Sequence, residues 1–151
     1  MTRLWTFTAL MRPRSRAALA AVLMALRIIS AHETAQAQSA DLVLCDRLAA
    51  DPSDPDKPAD TKGVVNIATS DVATAIKFCR QASGGSRRAM YQLGRAYAAG
   101  NQQAEAISAW RKAADKGSTS AMVELGVAYA TGAGIAKDEG TAGKLFERAA
   151  Q

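Results

Sequence analysis

Between residues 71 and 151 the apolar positions return every three or four residues, the period of a helix with one buried face. Within that stretch Ala89-Met90-Tyr91-Gln92-Leu93-Gly94-Arg95-Ala96-Tyr97-Ala98-Ala99-Gly100 comes back 32 residues later as Ala121-Met122-Val123-Glu124-Leu125-Gly126-Val127-Ala128-Tyr129-Ala130-Thr131-Gly132. Most positions are identical between the copies. A second phrase follows each: Ala106-x-x-x-Trp110-x-x-x-Ala114, then Ala142-x-x-x-Phe146-x-x-x-Ala150. Thr74-x-x-x-Phe78-x-x-x-Ala82 is an earlier echo of it. Residues spaced by four stack on one side of a helix, so each unit predicts a pair of helices. The expected architecture is all-α: a short α-solenoid of antiparallel helix hairpins, about two and a half repeats long. A half repeat covers 71–88, and full repeats cover 89–120 and 121–151.

The repeated residues suggest how the hairpins close. A glycine inside a helix costs about 1 kcal/mol relative to alanine, so Gly94 and Gly126 are expected where a neighbouring helix comes close. Ala89, Ala106 and Ala114 should form notches for Leu93, Tyr97 and Trp110. Ala121, Leu125, Tyr129 and Phe146 play the same structural parts in the second copy. Gly100 and Gly132 are expected to end their helices in left-handed caps. Asp71, Asn101 and Asp138 are candidate helix starts.

Leu-Gly-x-x-Tyr followed by Ala-x-x-x-aromatic resembles a tetratricopeptide-type hairpin. The longer second copy, with Gly132-x-Gly134, Asp138, Ala142, Phe146 and Ala149-Ala150, is similar to the Sel-one-like repeat. The resemblance covers about residues 71–151 and implies a protein-binding α-solenoid without catalysis of its own. The first copy departs from the pattern, since it lacks the four-residue Gly-x-Gly extension of the loop.

The first segment opens with Arg3, Arg12, Arg14 and Arg16, runs through an apolar stretch from Ala17 to Leu26, and reaches Ala35-Gln36-Ala37. A basic, then apolar, then small-x-small order reads as a secretory signal peptide over residues 1–37, with cleavage near Ala37 or Ala40. An uncleaved anchor is the alternative, although the apolar run is short for a bilayer. This segment changes the charge argument. The chain carries +5 overall, but residues 1–37 hold five arginines and one glutamate, leaving 14 basic and 13 acidic residues beyond them. The remainder gives no case for nucleic-acid binding, and no stable membrane span is expected after cleavage. Arg87-Arg88 reads as a solvated helix start.

Residues 38–70 form an amino-terminal helix, around Asp41 to Ala50, and a loop rich in proline and aspartate. Asp51, Asp54, Asp56 and Asp60 stand among Pro52, Pro55 and Pro58. The spacing lacks the alternating ligands and closing glutamate of a calcium loop, so a solvated turn is expected. Val64, Val65 and Ile67 suit a docked extended segment. Cys45 and Cys79 are the only cysteines. An even count in an exported chain favours a disulfide, which would make residues 41–82 a stapled amino-terminal cap. Two separate buried thiols are the alternative.

Little in the chain suggests chemistry. The single histidine, His32, lies in the segment expected to be removed. No serine elbow, HExxH, P-loop or dinucleotide fingerprint is present. No metal or cofactor is expected. The reading is therefore a noncatalytic scaffold of the bacterial cell envelope, periplasmic or secreted, that holds a protein or peptide partner on its concave face. Helix phase puts Arg88, Tyr91, Gln92, Arg95 and Glu124 on that face, away from the Leu-Tyr stripe. The alternatives are a small periplasmic enzyme acting on cell-wall or β-lactam material, and a subunit of a homo-oligomer or larger repeat assembly.

Overall fold

The computed structural model describes residues 40–151, and the regular structure in them is helical, without a strand. The segment read as a signal peptide lies outside the described residues. Helix α1 occupies residues 40–49. After the long loop, a single 3-10 turn at Thr69–Asp71 leads into α2 (Val72–Ala82), followed by α3 (Arg87–Ala99), α4 (Gln103–Asp115), α5 (Thr119–Thr131) and α6 (Glu139–Ala149). From α2 onward each helix packs on the next. No helix among the described residues is long and apolar enough to cross a membrane.

Side-chain caps fix three of the helix starts. Ser86 Oγ accepts from the Ala89 N–H, and Ser118 Oγ, one unit later, accepts from the Ala121 N–H. Asp138 caps α6 as expected, accepting from the Thr141 N–H at 2.9 Å. Two expected caps are absent. Asp71 sits within the 3-10 turn and makes no capping bond to α2. Asn101 does not cap α4, which starts after Gln102.

Asn101 has a different part. It takes the left-handed conformation, φ 57°, that Gly100 was expected to supply. Gly100 itself has φ −88°. The short first loop turns one residue later than the second, and asparagine tolerates the left-handed region better than most residues. What Gly100 provides is space, because a Cβ there would stand 3.1 Å from Val72 Cγ1. Gly132, in the longer second loop, is left-handed as expected, with φ 81°.

Two apolar cores lie along the row of helices. In the first, Cys45 and Ala49 of α1 meet Ala75, Cys79 and Ala82 of α2 and Ala89, Leu93 and Ala96 of α3. In the second, Met90 and Tyr91 of α3 meet Ile107 and Trp110 of α4, Met122 and Leu125 of α5 and Leu145 of α6. The many buried alanines allow backbones to approach closely. Cys45 and Cys79 form a disulfide, with Cα atoms 4.7 Å apart, that ties α1 to α2.

The two in-helix glycines have the same function in both units. A Cβ on Gly94 would overlap the Trp110 indole, and a Cβ on Gly126 would overlap the Phe146 ring. In each pair of adjacent helices an aromatic ring of the second thus lies against a bare stretch of backbone of the first. The position on α3 that leaves room for Trp110 is Gly94.

Gly94→Ala and Gly126→Ala should each destabilise the fold by about 1–3 kcal/mol, the usual cost of overpacking. Gly143→Ala, on α6 with open space around it, should stabilise by about 0.5–1 kcal/mol. Urea unfolding of the three variants checks the contrast. Removing the disulfide by Cys45→Ala with Cys79→Ala should cost about 3–4 kcal/mol, since it opens a loop of 34 residues.

Candidate interaction surface

Arg88, Tyr91, Gln92 and Arg95 share one face of α3, as helix phase requires, and Glu124 continues that face on α5. The four α3 residues are not open to solvent. The loop between α1 and α2 lies across them, and Tyr91 is 2% exposed and Gln92 fully buried. The face expected to receive a partner is covered in the first unit by the chain's own amino-terminal segment.

Acidic side chains of that segment hold it in place. Asp46, buried on α1, accepts from Arg88 Nε and Nη2 at 3.0 and 3.1 Å and from Gln92 Nε2 at 2.8 Å. Gln92 Oε1 meanwhile lies 2.8 Å from Cys45 Sγ. The sulfur has no proton in the disulfide, so this is a polar contact and not a hydrogen bond. Asp51 accepts from the Tyr91 hydroxyl at 2.9 Å and stands 3.6 Å from Arg95 Nε. Asp56 takes both Nε and Nη2 of Arg87, at 2.7 and 2.6 Å. Asp54, only 4% exposed, reaches past α3 and accepts from Ser120 Oγ of α5 at 2.8 Å.

Arg95 reads the backbone of the same segment. Its Nη1 donates to the Ala49 carbonyl at 2.8 Å, and its Nη2 donates to the Val64 and Val65 carbonyls at 3.0 and 2.7 Å. The loop is closed beneath it by Val64 N–H donating to the Ala50 carbonyl at 2.7 Å. Gly63, φ 73°, makes that closure possible, because a Cβ would stand 2.9 Å from Pro52 N. Lys57 Nζ adds bonds to the carbonyls of Pro58 and Thr61.

The proline- and aspartate-rich loop is therefore a docked clamp and not the solvated turn expected for it. Arg87 is the exposed helix start expected, although it also pairs with Asp56, whereas Arg88 is drawn partly out of solvent by Asp46. The signal that would have found it is complementarity. Asp46, Asp51, Asp54 and Asp56 precede a helix whose exposed face would otherwise show Arg87, Arg88 and Arg95.

The electrostatics follow the burial. Burial pushes the Asp51 carboxyl up, but the hydrogen bonds from Ser53 and Tyr91 and the charge of Arg95 outweigh it and hold it below its ordinary value. Burial raises the Tyr91 hydroxyl, and its bond to Asp51 adds to the rise. Asp54 is raised by burial against the Ser120 bond that opposes it, and its Oδ2 has no hydrogen-bond partner among the described residues. Glu124 is also raised by burial, with Arg95 opposing and Asp51 adding.

A second contact repeats between consecutive helices. Arg80 Nη2 of α2 donates to the Tyr97 hydroxyl at 2.9 Å, and Arg111 Nη2 of α4 donates to the Tyr129 hydroxyl at 3.1 Å. The repeat-phrase tyrosines thus join each unit to the helix before it.

The described residues contain no cluster suited to a metal ion and no free cysteine. No protein-family model, curated protein or solved structure matches this chain.

Because the Asp51 carboxyl is lowered in the folded state, its contribution is complete above the ordinary value of 3.8. It is lost as pH falls through the lower, folded value. Asp51→Asn should cost about 1.5–3 kcal/mol at neutral pH, as expected for hydrogen bonds to a charged group. The difference from the parent should shrink to nothing in strong acid. Urea unfolding across the acid range measures it.

Proposed function

We propose that this chain is a noncatalytic protein-interaction module of the bacterial cell envelope. It is built as a short α-solenoid of Sel-one-like hairpins, and it binds a partner on the face of its second unit. One observation carries the reading. Val123, Glu124 and Val127 occupy, one unit later, the positions of Tyr91, Gln92 and Arg95, but the hydrogen bond of the docked segment to α5 is made at Ser120, and beyond it Val123 and Val127 stay exposed while Glu124 is half-buried. Val123 and Val127 are 44% and 46% exposed, side by side on the same stripe.

The hairpin order supports the solenoid reading. So do the recurrence of the glycine–aromatic seat and the Arg–Tyr link at the spacing of one unit. A disulfide between α1 and α2 supports placement in an oxidising compartment such as the periplasm or the cell exterior. The amino-terminal segment then has a defined part: it caps the first unit and fixes one end of the binding face.

A photocrosslinking residue placed at position 127 should give a discrete adduct in the cell envelope. The same residue at position 147, exposed on α6, should give none. Equal adduct patterns at both positions, or none at 127, would refute the assignment of the face.

A further inference from the structure

The clamp is hydrogen-bonded to α5 at Ser120, and the face continues beyond that contact. Beyond Ser120, α5 presents Glu124 between Val123 and Val127. A cavity of about 220 Å³ opens between Glu124 and Arg95, walled on the far side by Val65–Ile67 of the docked segment. The Glu124 carboxylate is half-buried and has no hydrogen-bond partner among the described residues. The nearest cation, Arg95, is already engaged by three carbonyls and stands beside Asp51. Asp51, Arg95 and Glu124 together leave one negative charge without compensation in a partly desolvated place, where a cation is favoured.

The comparison between units sharpens this. In the first unit Gln92 and Arg95 act as donors, and the segment lying on them supplies carboxylates and carbonyls. In the second unit the equivalent positions offer an acceptor and an apolar side chain. A segment that continues along the face must bring the opposite chemistry.

Resting on the reading of α5 as the interaction face, we propose that the occupant is an extended segment of a partner protein carrying a lysine or arginine with apolar residues two positions before and after it, on the same face of the extended chain. The cation pairs with Glu124 in the cavity against Arg95, and the apolar side chains lie on Val123 and Val127. The segment thereby extends the line of chain that the amino-terminal loop begins on α3.

The test is fluorescence anisotropy of the purified protein with labelled short peptides of the form Gly-Val-Gly-Lys-Gly-Val-Gly, in which an extended chain puts the lysine and both valines on one face, beside the same peptides with glutamate in place of lysine. The lysine peptide should bind at least ~10-fold more tightly than the glutamate peptide. Glu124→Gln should bring the two within about twofold of each other, with unchanged thermal unfolding. Val127→Asn, which removes the apolar contact without adding a charge, should abolish binding of both. Equal binding of the two peptides to the parent, no binding of either, or a preference that survives Glu124→Gln overturns the proposal. If Val127→Asn abolishes binding while the two peptides bind alike, the face stands and only the charge assignment fails. If Val127→Asn binds as the parent does, the face itself is wrong. Self-association in sedimentation that Val127→Asn removes would identify the occupant as a second copy and also overturn the proposal.

Discussion

The structure depends on the docking of one acidic segment over one basic helix face. Asp46, Asp51 and Asp56 meet Arg88, Arg95 and Arg87, and the pairing is mostly charge-assisted and partly withdrawn from water. Such pairs add less net stability than their number suggests, because each ion must first lose its hydration. Their value here is in register. Arg95 can bond the carbonyls of Ala49, Val64 and Val65 together only when α1 and the end of the loop lie at one height along α3. The disulfide at Cys45 and the prolines at 52, 55 and 58 limit how far the unfolded segment can wander, so the clamp forms from a restricted ensemble.

The clamp and the packing of α4 meet in α3. One side of this helix receives the segment, and the side carrying Gly94 receives the Trp110 ring. Gly94 precedes Arg95 directly, so the close approach of α4 and the reading of the segment backbone are set by neighbouring residues. A shift of α3 along its axis would disturb both. In the second unit α5 has the aromatic seat at Gly126 but meets the segment by one hydrogen bond at Ser120, and it keeps the exposed valines that α3 lacks.

Much of the helical order was legible in the sequence because it is written in local terms. The 32-residue recurrence placed α3 to α6, the glycine in each Leu-Gly phrase announced a close neighbour, and the even cysteine count announced the bridge. Helix phase also grouped Arg88, Tyr91, Gln92 and Arg95 correctly. It could not show that the face was already occupied, because the occupant lies 30 to 47 residues away in sequence, and the pattern of one helix says nothing about what covers it. The shift of the left-handed turn from Gly100 to Asn101 was hidden for a related reason. Loop length, not residue identity, decides which position must reverse the chain.

The contrast between the units is also a physical argument about where affinity can reside. On α3 the polar groups are satisfied: Gln92 is bonded on its amide nitrogen, Tyr91 on its hydroxyl, and Arg95 on three carbonyls. A ligand arriving there would have to break bonds inside the fold before making its own, and buried polar groups left unpaired are costly. On α5 the carboxylate of Glu124 is already partly desolvated and the adjacent valines are already exposed. A partner there gains apolar burial and charge compensation without displacing anything. On the proposed reading of α5 as the interaction face, the amino-terminal segment, by closing the first unit, leaves recognition to the second.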